Sequence, residues 1–292
     1  MQRIDNGTMK QPQVILLWLM FLTSFLIDTS AWPFGIGEED EWKGNWFPSR
    51  EGEIDNNEIV TYQYTKKELH DEKHGIKMGI PSINCDDGRT HLELDWLDDP
   101  TNYTCFSDKR LYLPRDDVYP IFTADHIPAH YSAQHKCMTK QIIYDTDIPT
   151  FGTHRPLWAK YGEYKFLPKQ RWIHNLEHGA VVMLYHPCAN NVEVDFLRQL
   201  VVRCLYRHII TPSNLLTPER PFALITWGRK LLMSKVDSTL VQEFIKKSAK
   251  HGPEQTSKDG QYDYELLHHA VVISTPTDDV ICPDYSNVKT ME

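Results

Sequence analysis

The sequence has 292 residues, 41% of them hydrophobic and 24% charged, with 31 Lys and Arg against 40 Asp and Glu for a formal charge of −9. That composition is globular and leaves room for one large or two small domains. It excludes a wholly disordered chain and a collagen or coiled-coil repeat, and an acidic chain without a basic patch argues against nucleic acid as the main partner.

The first thirty residues address the compartment. Arg3 and Lys10 precede an uncharged run from Val14 to Ile27, which Asp28 closes before the small residues Thr29-Ser30-Ala31. The run is shorter than the roughly 20 residues a membrane span needs and has signal-peptide proportions. Residues 1–31 are therefore read as a signal peptide, with an uncleaved signal anchor as the alternative. No membrane span is expected beyond it, because the best later run, Ala270 to Ile273, stops at four residues. The protein is expected to be secreted or to reside in the secretory-pathway lumen.

Six cysteines, Cys85, Cys105, Cys137, Cys188, Cys204 and Cys282, lie beyond the leader and form no C-x-x-C pair. In an oxidising compartment they suggest up to three disulfides whose pairing the sequence leaves open. Asn102-Tyr103-Thr104 is a glycosylation sequon in a turn-like setting.

Residues 32–119 read as an acidic, poorly periodic arm, with Trp32, Trp42 and Trp46 around Glu38-Glu39-Asp40-Glu41. Cys85 and Cys105 bracket the alternating segment Leu92 to Trp96 and could close a small stapled lobe. From Pro120 the patterns sharpen, and 120–292 is read as one domain. Gln141 to Tyr144 predicts a short strand. Ala180 to Tyr185, a continuous apolar run, predicts a central strand buried on both faces. Leu197, Leu200, Val201, Cys204, Leu205 and His208 keep helical spacing, predicting a helix over 194–209 that Thr211-Pro212 ends. Phe222 to Trp227 predicts a third strand. Asp237 is a plausible N-cap for a second helix to Lys250, with Leu240, Val241, Phe244 and Ile245 inward. The fold class is α+β, a small mixed sheet with two packed helices, preceded by an irregular disulfide-stapled N-terminal arm.

Seven of the 14 histidines fall between residues 126 and 186. The sharpest subset is His174-Asn175-Leu176-Glu177-His178, of H-x-x-E-H form. On a helix His174 and His178 share a face as metal ligands, and Glu177 can serve as general base to a metal-bound water. His154 is the candidate third ligand and zinc the candidate ion. Against catalysis, Pro168 and Gly179 leave space for at most two helical turns. The bland reading is a polar corner whose imidazoles satisfy backbone groups. His126 and His130 are read as loop histidines, His268 and His269 as surface. Cys137, two residues after His135, is read as a disulfide cysteine rather than a nucleophile, and Asp145 and Asp147 as a turn. The sequence has no G-x-S-x-G, P-loop or G-x-G-x-x-G motif.

The blocks Tyr144 to Pro156, Trp158-Ala159, Gly162-Glu163-Tyr164, Trp172 to Val182, Tyr185 to Cys188 and Thr226-Trp227-Gly228 carry a family resemblance over about 120–255. The chain resembles an uncharacterised domain family found in bacterial membrane-anchored proteins and in the animal tumor protein p53-inducible protein 13. The resemblance implies a secretory or membrane-associated domain of unknown activity, linked in the animal branch to growth restraint, and supplies no catalytic residues. The animal branch also implies a terminal membrane span, which no run in this sequence matches. Two functions stand open: a non-enzymatic protein acting through an unknown protein partner, which is preferred, and a metal-dependent hydrolase using Glu177.

Overall fold

The apolar run after Gly179 organises the fold. In the computed structural model, which describes residues 64, 65 and 67–284, this run is β5 (Val181–Tyr185), the middle of a seven-stranded mixed sheet. Two short strands, β1 (His70–Asp71) and β2 (Gly75–Ile76), first form a separate antiparallel hairpin. The remaining elements are β3 (Ile121–Ala124), β4 (Gly162–Tyr164), α1 (Lys169–Glu177), α2 (Asn191–Cys204), β6 (His208–Pro212), β7 (Phe222–Thr226), β8 (Arg229–Met233), α3 (Ser238–Ser248) and β9 (Leu266–His269). The sheet order is β3-β8-β7-β5-β6-β4-β9, with β5, β6 and β4 parallel and the other pairs antiparallel.

Strand alternation divides the core between two layers. Val182 and Leu184 of β5 join Ile209, Ala223 and Ile225 beneath Trp172, Ile173 and Leu176 of α1. Val181 and Met183 point the other way, with Ile210, Phe222 and Leu224, against Leu197 and Val201 of α2 and Val241, Phe244 and Ile245 of α3. A strand covered by helices on both faces has no solvent side to keep polar, hence its unbroken hydrophobicity. The α+β architecture expected from the sequence is the one the chain forms.

Helix starts follow local chemistry. The Asn190 side chain accepts from the amides of Val192 and Glu193 at 3.0 and 3.3 Å, and Asp237 accepts from Leu240 at 2.8 Å. α1 begins straight after Pro168, whose fixed φ suits a helix start, and runs nine residues, longer than the two turns expected.

Three expectations are corrected. Residues 141–144 form no strand; Ile142 is buried while Ile143 is 82% exposed. The carbonyls just before it, of Lys136, Cys137 and Lys140, accept from the Arg155 guanidinium rather than from a neighbouring strand. The helix expected to 209 ends at Cys204, where Leu205 turns extended. His208 is instead a strand residue pairing with Val181, and a buried strand continued the helical spacing by coincidence. The disulfides are Cys85–Cys137, Cys105–Cys188 and Cys204–Cys282, so Cys85 and Cys105 close no common lobe. Leu92–Leu94 is a single 3-10 turn. Each disulfide closes a loop long enough to contribute about 4 kcal/mol in the chain-entropy account.

The leader 1–31 and Trp32, Trp42 and Trp46 lie outside the described residues. No helix among the described residues is long and apolar enough to cross a membrane.

Candidate metal centre

Helical spacing puts His174 and Glu177 on one face of α1, and His178 caps the helix. Gly179 follows at φ 85°, where a side chain on any other residue would meet the Lys250 Cα at 2.8 Å. Gly252 lies as close, a Cβ there falling 2.1 Å from the Glu177 carbonyl oxygen. The two glycines let the loop after α3 close over the end of α1, where the Glu254 amide donates to the Glu177 carbonyl at 3.1 Å.

On the other side, the loop at 134–136 runs beside that at 154. The His154 amide donates to the Gln134 carbonyl and the Lys136 amide to the His154 carbonyl, pairing His135 with His154. Two residues from outside the helix, His135 and His154, thereby reach α1. One donor atom each from His135, His154, His174 and Glu177 lies within 4.8 Å of every other, and all four residues are buried.

The tautomers follow from the partners. A carbonyl oxygen has no proton to give, so a ring nitrogen facing one must be the donor. His135 Nδ1 donates to the Ile76 carbonyl (2.6 Å), His154 Nδ1 to Gly152 (2.8 Å), His174 Nδ1 to Arg155 (2.6 Å) and His178 Nδ1 to Glu254 (2.6 Å). Where such a ring is neutral, Nε2 is then a bare lone pair. All four Nε2 atoms, and Glu177 Oε2, are buried without a hydrogen-bond partner. His154 Nε2 and Glu177 Oε2 lie 3.1 Å apart without hydrogen-bond alignment.

Burial disfavours the charged form of three of these rings. Burial, reinforced by the neighbouring imidazoles, holds His174 well below the usual histidine range. Burial, with His154 beside it, takes His135 down to about 3. Burial also lowers His178, against the pull of its Glu254 hydrogen bond. For Glu177 burial pushes upward, but His154, whose Nε2 lies 3.1 Å from Oε2, outweighs it and holds the carboxyl below the ordinary value, so it is ionised at neutral pH.

Four of these atoms, on His135, His154, His174 and Glu177, gather closely enough that together they could hold a cation. A main-chain or carboxylate partner on the second ring nitrogen is the usual support of metal-bound histidine. Three imidazoles and one carboxylate form a nitrogen–oxygen set suited to zinc. Tetrahedral ligands on bonds of about 2.1 Å sit about 3.4 Å apart, so the four atoms need draw in by no more than about 1.4 Å.

Of the ligands expected from sequence, His154 and His174 belong to this set. His178 lies alongside, its ring 4.7 Å from those of His174 and Trp158. Glu177 offers a donor atom to the set itself. His135 escaped the reading because its ligand partners are 19 to 42 positions away, beyond any spacing rule; only the crowding of histidines pointed to it. His126 and His130 are exposed loop residues, and His268 and His269 are exposed on β9, as expected. Asp145 and Asp147 are exposed in bends. Asn102 is half-buried in a 3-10 turn, its Nδ2 donating to the Asp99 carbonyl.

Three buried arginine–aspartate pairs frame the cluster. Arg155 donates through Nε to Asp95 at 2.8 Å, Arg171 through Nη2 to Asp86 at 2.9 Å, and Arg207 through Nε to Asp278 at 3.0 Å. Arg155 follows His154, and Arg171 is one helical turn before His174.

Residues 135–260 match the model of a family described as a protein of unknown function (DUF3105). The matched stretch begins at His135 and contains His154, His174, Glu177, His178 and Glu254; it does not single out the p53-inducible branch. No match is found among curated proteins or among solved structures.

Proposed function

We propose that this chain is an extracellular or lumenal metal-binding protein in which His135, His154, His174 and Glu177 hold one zinc ion, and that it acts by binding a protein partner. The observation carrying the metal reading is the inward set of unpartnered Nε2 atoms, each fixed by a main-chain carbonyl on the opposite nitrogen. Three disulfides with no free cysteine among the described residues are the pattern of an oxidising compartment. Full burial of the donors favours a structural ion, whose binding energy becomes folding energy. The link to growth restraint, drawn from the resemblance, belongs to the partner that remains to be identified.

The alternative is hydrolysis at the ion. What favours it is a cleft of about 590 Å³, lined by Leu69, Ile76, Gln134, His135 and Lys136, that reaches one ligand. Elemental analysis of dialysed protein decides the metal reading: stoichiometric zinc in the wild type and loss in His154→Gln support it, and metal-free wild type overturns it. Hydrolysis requires turnover that Glu177→Gln abolishes.

A further inference from the structure

We infer that Glu177 is shared between two cation-binding places, and that His74 and Glu254 complete the second; the inference rests on the first being a metal centre. Donor atoms of His74, Glu177 and Glu254 all lie within 4.8 Å of one another, so the same carboxylate belongs to two ligand groups. A carboxylate has two oxygens and about four lone-pair directions, enough to bridge two ions.

His74 is prepared as the first four imidazoles are. Its Nδ1 donates to the Ala133 carbonyl at 2.9 Å, and its buried ring stacks on His135 with centroids 4.8 Å apart. That leaves Nε2 aimed at Glu254 Oε1, 2.8 Å away. The Lys73 ammonium, on a side chain 56% exposed, contacts the same oxygen. An ammonium thus stands where the geometry gathers two carboxylates and an imidazole. A divalent ion takes its place when Lys73 swings into water. The donor set of one nitrogen and two carboxylates suits zinc or another borderline divalent ion. The hairpin carrying His74 is held from outside the sheet by Ser132 and Gln134, whose side chains donate to the Lys73 carbonyl. Its place over the centre therefore does not depend on the bond to Glu254.

The test is a zinc titration of chelator-stripped, refolded-state-checked full chain, read by calorimetry and by elemental analysis after desalting. Two zinc ions per wild-type chain are expected, falling to one in His74→Gln/Glu254→Gln, whose Glu254 backbone carbonyl still orients His178. One ion in the wild type, retained by the double variant, overturns the second place and leaves the first standing. No ion in the wild type overturns both. Because the wild-type count decides by itself, a variant that failed to fold would not rescue the inference.

Discussion

Arg171 and His174 lie one turn apart on α1, both fully buried, and differ in every other respect. Burial opposes the Arg171 charge, but the Asp86 carboxylate outweighs it and raises the guanidinium above its usual value. Its donors go to Asp86 and the Leu157 carbonyl, and its plane lies 4.3 Å over Tyr262. His174 has one satisfied nitrogen and one bare, facing other bare nitrogens. Ordinary folding explains the first arrangement, since buried charges survive only when paired. It does not explain the second, because a core gains nothing from acceptors turned on one another. The arginine pairs make a frame, and the imidazoles make a demand on it.

Breaking the frame should cost most. Asp86→Ala strands the Arg171 charge and should lower stability by about 3–5 kcal/mol in urea unfolding, with or without zinc. Filling the demand should come next: zinc at a thousandfold over its dissociation constant should stabilise the wild type by about 4 kcal/mol. His154→Gln should erase that zinc-dependent shift, and equal shifts in both proteins would break the comparison.

Acid sharpens it further. His135 is neutral when folded, with its value near 3, and charges near 6.5 when unfolded. Between those values the unfolded chain binds a proton that the folded one refuses, so metal-free stability should fall as pH drops from about 6.5 towards 3. His174 and His178 are lowered too and push the same way. The slope of urea midpoint against pH should flatten in His135→Asn. The smallest effect belongs far from both regions: Asn190→Ala should cost about 1 kcal/mol by uncapping α2, unchanged by zinc.

Elements whose cause is local were legible in the sequence. β5 and β7 announced themselves as apolar runs, and α3 by its Asp237 cap and inward stripe. β8, Arg229–Met233, was missed: it follows β7 after a tight turn at Gly228, and its residues are mostly half-buried, so no run stood out. β6 hid inside a helical period. At the site, His174, Glu177 and His154 were readable because one helix face and one neighbouring loop supply them. His74 and Glu254 stand 180 positions apart, and only the closed fold shows them as neighbours.

Cys137 stands two positions after His135, and its bond to Cys85 holds that loop beside Asp86, the partner of Arg171. That crosslink ties together chain segments 52 positions apart. Reducing it should loosen the imidazole set first at His135, before disturbing the helix that carries His174 and Glu177.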